Sequence, residues 1–217
     1  MGKISECYAT GDVTGISNKY TFIGGFAGAV NWRTTEIVDC YAVNGYVRAD
    51  SSSLSKDSSV EVYVGGFIGF SAGTIKNCYA VNYVYSSSYG ETNNHIHYIG
   101  GFAGYNKAVI NGCFVLNAYE KLMRTGLETG SFCVVGSGTA KAFYAGGFVG
   151  FNAENAINNC YSYAAVNTTV SGAYTGGFAG YNSSVDYSYT NESTCIKRLC
   201  STGTDYAKRS GFEPCTH

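Results

Sequence analysis

The chain has 217 residues, enough for one large domain or two small ones with a sizeable core. Fourteen Lys and Arg stand against fifteen Asp and Glu, and only 13% of residues are charged, so the cationic surplus that nucleic-acid binding draws on is missing. Gly occurs 29 times and Pro once, which disfavours Leu-rich helix bundles, because each interior Gly costs a helix about 1 kcal/mol. All-β structure is the expectation, and no apolar run reaches the roughly 18 residues of a membrane-spanning helix. Nor does the start, Met1-Gly2-Lys3, lead into a secretory signal, so any export signal lies outside this chain.

Two phrases alternate from the beginning. Cys7-Tyr8-Ala9 comes first, then Gly24-Gly25-Phe26-Ala27-Gly28, then Cys40-Tyr41-Ala42 and Gly65-Gly66-Phe67-Ile68-Gly69. The order repeats with Cys78-Tyr79-Ala80, Gly100-Gly101-Phe102-Ala103-Gly104, Cys113-Phe114-Val115 and Gly146-Gly147-Phe148-Val149-Gly150. It closes with Cys160-Tyr161-Ser162, Gly176-Gly177-Phe178-Ala179-Gly180 and a degenerate Asp186-Tyr187-Ser188. From the second Gly to the next Cys the spacing is nearly constant, twelve to fifteen residues; the return varies from sixteen to thirty-three. A constant half and an elastic half imply one structural unit carrying loops of free length.

Each phrase suits a short strand ending in a turn. Gly-Gly-Phe-x-Gly sets one aromatic among residues without a Cβ, so backbones can pass closely and φ can turn positive. An aromatic and then Asn or Ser follow in four copies, Phe70-Ser71, Tyr105-Asn106, Phe151-Asn152 and Tyr181-Asn182, and Asn fits a corner. Stacked units would give a parallel β-helix or flattened β-solenoid of about five rungs over residues 1–190, with Phe26, Phe67, Phe102, Phe148 and Phe178 as its core ladder.

The pattern Gly-Gly-Phe-x-Gly-(Tyr/Phe)-Asn, followed about a dozen residues later by Cys-Tyr-Ala, resembles the GLUG-motif repeats of bacterial surface adhesins and of the non-catalytic region of immunoglobulin-A-specific metallopeptidases. The resemblance covers roughly residues 4–190. It implies a stalk or display unit rather than an activity. Cys where Ser is common, the excursion after Cys113 and the tail depart from the pattern.

Residues 48–62 and 85–95 are rich in Ser and Asn and read as exposed loops. The excursion over 117–143 contains Ala118 to Arg124, the one stretch of helix-forming composition, and reads as a lateral insertion. A Cys-rich tail or latch follows over 191–217.

Nine cysteines suggest an oxidising compartment. The ladder Cys7, Cys40, Cys78, Cys113 and Cys160 would be spaced one rung apart, about 4.8 Å, which permits cross-rung disulfides. Cys133, Cys195, Cys200 and Cys215 are candidates for tail disulfides, favoured over zinc because the spacing is wrong and no His pair follows. Small Cys and Ala suit the core, leaving Tyr8, Tyr41, Tyr79, Phe114, Tyr161 and Tyr187 as an outer contact surface; aromatics inward is the alternative.

His95 and His97 would share a strand face but read as a surface pair, lacking a third metal ligand. No His-Glu pair exists for a zinc protease, and no in-register carboxylate pair for a polysaccharide-active enzyme: Glu6 and Asp39 give way to Asn77, Gly112 and Asn159, a row that reads as a polar corner. Neither catalysis nor a cofactor is expected. Asn167, Asn182 and Asn191 head glycosylation triplets.

The first half-unit lacks a Gly-Gly-Phe partner and a cap, which is read either as a slice of a longer stalk or as an end completed by a neighbouring subunit. The leading expectation is an extracellular structural and adhesive protein that self-associates head to tail. The alternative is a monomeric adhesin segment that binds a glycan or host surface protein through its aromatics.

Overall fold

The computed structural model describes residues 2–16, 19–50, 59–88, 94–117 and 132–183, together with the backbone at 196–197 and 200–201. Among these residues the chain is all strand and turn, with no helix. Every strand pairing is parallel, in four sheets that the chain visits in the same order on each of five circuits.

The first circuit comprises β1 (Lys3–Ser5), β2 (Tyr8–Thr10), β3 (Val13–Ile16), β4 (Tyr20–Gly24) and β5 (Ala27–Val30). The second has β6 (Glu36–Val38), β7 (Tyr41–Asp50), β8 (Val60–Gly65) and β9 (Ile68–Ser71); the third β10 (Thr74–Lys76), β11 (Tyr79–Ser88), β12 (His95–Gly100) and β13 (Ala103–Asn106). The fourth has β14 (Val109–Asn111), β15 (Phe114–Val115), β16 (Phe132–Gly138), β17 (Ala142–Gly146) and β18 (Val149–Asn152). The fifth has β19 (Ile157–Asn158), β20 (Tyr161–Ser162), β21 (Ala165–Thr168), β22 (Tyr174–Gly176) and β23 (Ala179–Asn182). Two further backbone segments, β24 (Ile196–Lys197) and β25 (Cys200–Ser201), lie beside β19 and β20, so stacking continues into the tail at those four residues. Parallel sheets built this way suggest a solenoid-like fold.

Register follows the repeated phrases. Tyr41 pairs with Tyr8 and Tyr79, Gly65 with Gly24 and Gly100, and Ile75 with Ile37 and Ile110. Alternating inward residues therefore pile into columns: Ile37, Ile75, Ile110 and Ile157 from the first sheet, Ala42, Ala80 and Val115 from the second, all fully buried or nearly so. Between the third and fourth sheets lies the phenylalanine column, its rings stacked at 4.7 to 4.8 Å from Phe26 through Phe178. Phe67, Phe102 and Phe148 are wholly buried, Phe178 nearly so, and Phe26 at the end is half-buried.

The glycines beside that column serve close approach rather than positive φ. None of the Gly-Gly pairs has φ in the left-handed region. A Cβ on Gly66 would instead lie 2.0 Å from the Gly101 carbonyl oxygen of the next circuit, which excludes any side chain. Left-handed residues recur instead in the polar corner: Glu6 (55°), Asp39 (55°), Asn77 (52°), Gly112 (65°) and Asn159 (52°). Asn and Asp tolerate this region, and Gly enters it freely. Asn77 Nδ2 donates to Asp39 Oδ1 at 3.1 Å, and Asn159 Nδ2 to Asn111 Oδ1 at 3.1 Å, so the corner carries its own cross-circuit bonds.

Three readings of loops change. Residues 48–50 and 60–62 belong to β7 and β8, and residues 85–88 and 95 to β11 and β12. Ser86, Ser87 and Ser88 are buried, because small hydroxyl side chains fit the inner rows of a long strand when they find partners there. Within the excursion, β16 and the start of β17 are sheet strands rather than a lateral loop. Ala118 to Arg124 lie outside the described residues.

Candidate interaction surface

Cys40, Cys78, Cys113 and Cys160 point into the core, while Cys7 is exposed on the first circuit. All five are free thiols. The residue before each cysteine is the left-handed corner, which turns the cysteine amide out of the sheet ladder. That amide donates to the sulfur of the next circuit: Cys7 to Cys40 and Cys40 to Cys78 at 3.4 Å, Cys78 to Cys113 and Cys113 to Cys160 at 3.3 Å. Each thiol donates in turn to the carbonyl two residues back, at 3.1 to 3.5 Å. Cross-rung disulfides are not formed; the sulfurs serve as hydrogen-bond relays. Burial pushes the Cys40 and Cys113 thiols up, which keeps them protonated donors. Cys133 is a buried residue of β16, donating to Asn117 Oδ1 at 2.7 Å, and so is not part of a tail. Cys195 and Cys215 lie outside the described residues, and Cys200 is described only as backbone in β25.

Outside the same sheet runs the ladder of Tyr8, Tyr41, Tyr79, Phe114 and Tyr161, with rings 4.9 to 5.3 Å apart and within 10° of parallel. Tyr187 lies outside the described residues. In such a stack each ring covers its neighbour's face, so edges and hydroxyls are what the side of the ladder presents. An open face remains on Tyr8, which is 65% exposed.

A second outer array was not read from the sequence. Phe22, Tyr63, Tyr98, Tyr144 and Tyr174 form one column at 4.7 to 5.2 Å, and Phe70, Tyr105, Phe151 and Tyr181 another. The two meet edge to face around the Gly-Gly-Phe corner, as Tyr98 with Tyr105 (88°) and Tyr144 with Phe151 (87°). Its signal was present: an aromatic stands two residues before every Gly-Gly pair. Burial, together with the Glu61 carboxylate that accepts its hydroxyl, holds Tyr63 well above the usual phenol range.

Behind the outer aromatic row, Asn106, Asn152 and Asn182 form a carboxamide ladder: Asn106 Nδ2 donates to Asn152 Oδ1 at 2.8 Å and Asn152 Nδ2 to Asn182 Oδ1 at 2.7 Å. Of the glycosylation candidates, Asn182 is thus engaged in this ladder, Asn167 is exposed on β21, and Asn191 lies outside the described residues.

His95 and His97 do share a face of β12, but it is the inner one. Both are buried, which corrects the expectation of a surface pair. No cluster of three metal-ligating groups exists among the described residues, nor any helix there long and apolar enough to cross a membrane.

The first circuit exposes Ile4, Tyr8, Ile16, Tyr20 and Phe22, and its strands pair on one side only among the described residues. Among the described residues, apolar side chains run along this edge. No family model matches the chain, and neither does any curated protein or solved structure.

Proposed function

We propose that the five circuits form one continuous β-solenoid, an extracellular structural and adhesive subunit that associates end to end into a stalk or fibre. One observation carries the reading: the same side chains stack in register over five circuits, as in the Tyr8, Tyr41, Tyr79, Phe114 and Tyr161 ladder, and among the described residues the strands of the first circuit pair on one side only, with the Tyr8 ring face and Ile16 (72% exposed) beside that edge. Unpaired parallel edges of this length template the addition of further strands, and aromatic columns favour one more ring on an open face. The extracellular placement is supported by the resemblance to GLUG-motif repeats. It does not draw on the ladder cysteines, whose relay works as thiols.

Recognition of glycans or a host protein along the aromatic ladders is the rival. Sugar rings pack on aromatic faces, and in the ladders those faces are already covered by the rings above and below. This favours association at the ends over binding along the side.

Sedimentation velocity across a hundredfold range of concentration, with and without reductant, tests the proposal. Mass should rise with concentration in both conditions. A single monomeric species throughout, coupled with saturable binding on a glycan array, would replace it with the rival.

A further inference from the structure

The third circuit carries a polar, titratable cluster where its neighbours are apolar. His97 pairs in register with Val62 on β8 and Phe143 on β17, and its ring stacks on Phe143 at 5.2 Å and 13°. Phenylalanine therefore fits this column, and histidine there gives up apolar packing. Opposite, on β11, Ser86 pairs with Ala49 and Gly136. Ser86 Oγ lies 2.7 Å from His97 Nδ1, and Ser88 Oγ lies 2.9 Å from His95 Nδ1. These two bonds tie β12 to β11 across the interior.

Among the described residues the other ring nitrogens have nothing to bond. Nε2 of His95 and Nε2 of His97 are both buried without a hydrogen-bond partner. A neutral ring tolerates this at a modest cost, but an imidazolium would bury a charge with an unsatisfied donor. Surrounding groups among the described residues give no relief. Facing the pair are Val60 and Val62 of β8, Phe143 of β17, Ser86 and Ser88 of β11, and Gly136 and Gly138 of β16; none is charged. Glu61 is engaged by the Tyr63 hydroxyl, and the Lys141 side chain is exposed, its backbone N–H donating to the His95 carbonyl at 2.8 Å. Each histidine also opposes protonation of the other, with ring centroids 6.3 Å apart.

We infer that the Ser86–His97 and Ser88–His95 pairs form an acid-sensitive latch, which holds β12 against β11 at neutral pH and releases this part of the third circuit when the rings take up protons. Burial depresses both histidines, His97 to about 3. A depressed folded value means that stability is intact above the unfolded value of about 6.5 and falls as pH drops below it towards 3. The inference does not depend on end-to-end association.

Amide hydrogen exchange at pH 7.5 and pH 5.0, corrected for intrinsic rates, reads the latch directly. Protection across residues 84–88 and 95–100 should fall at least tenfold at pH 5.0, while β4 and β9 change little. In His97→Phe, which Phe143 shows the column can hold, the acid-induced fall should shrink below about threefold, with His95→Gln giving a partial effect. An undiminished fall in both variants, or unchanged protection in the parent, would overturn the latch. Should His97→Phe fail to fold, the parent's own ring signals decide: titration of His97 near 6.5 with the segment still protected contradicts the inference, and protonation that appears only together with the loss of protection supports it.

Discussion

The backbone N–H of Cys78 donates to the sulfur of Cys113 one circuit away, at 3.3 Å, and both residues are fully buried. The left-handed Asn77 turns that amide out of the strand ladder, and without the sulfur it would be a buried, unpaired donor. Serine can accept the same bond and donate to the same carbonyl. Alanine can do neither.

Cys113→Ala should therefore cost about 1–3 kcal/mol, the usual penalty for orphaning a buried backbone group, while Cys113→Ser should lose less than half of that. Urea unfolding followed by circular dichroism measures the order. Equal losses for the two variants would mean that volume, not the relay, matters at this position.

Thiol reactivity follows from the same geometry. Among the described cysteines, Cys7 should be labelled rapidly by an aqueous maleimide, whereas Cys40, Cys78, Cys113, Cys133 and Cys160 should react only after unfolding. Peptide mapping after timed labelling separates them. Fast modification of Cys113 in the native protein would contradict its burial.

In the phenylalanine column, position along the stack should set the penalty. Phe102 is wholly buried between Phe67 and Phe148, each 4.8 Å away, so Phe102→Ala should cost about 3–5 kcal/mol. Phe26, half-buried with one stacked neighbour, should cost clearly less. Similar losses for both, measured by thermal and chemical unfolding, would argue against an end position for Phe26.

Two glycines should behave in opposite ways. Gly66→Ala sets a Cβ 2.0 Å from a backbone oxygen that cannot move without displacing the next circuit, so the variant should lose cooperative unfolding or fail to accumulate. Gly112→Asn meets only the side-chain oxygen of Asn77, 2.8 Å from the new Cβ, and adopts a φ that Asn77 and Asn159 already hold. It should be neutral or stabilising by up to roughly 1 kcal/mol, since Gly loses the most backbone entropy on folding.

Much of the parallel, stacked arrangement is visible in the recurrence of two short phrases, because in-register pairing places identical residues on one another and selects the same side chains at each level. Phe67 over Phe102 and Asn77 beside Asp39 are direct consequences. The long strands were harder to see. Ser86 and Ser88 look solvent-facing by composition, yet each meets a buried histidine on the next strand of the same circuit, eleven and seven residues on. The Phe22 to Tyr174 column was overlooked for another reason: its residues precede the glycine pairs and lie outside the phrase that drew attention. The inward placement of the cysteines was legible from their size, but their bonding was not, because spacing alone cannot distinguish a disulfide from a thiol that accepts an amide, a choice made by the left-handed corner just before it.

Electron cryo-microscopy of the concentrated protein tests end-to-end association most directly. The account predicts unbranched filaments with rungs about 4.8 Å apart along the axis, and density continuing across the junction at the first circuit beyond Tyr8 and Phe26. Fields containing only isolated single chains at every concentration, with that open edge facing solvent, would contradict it.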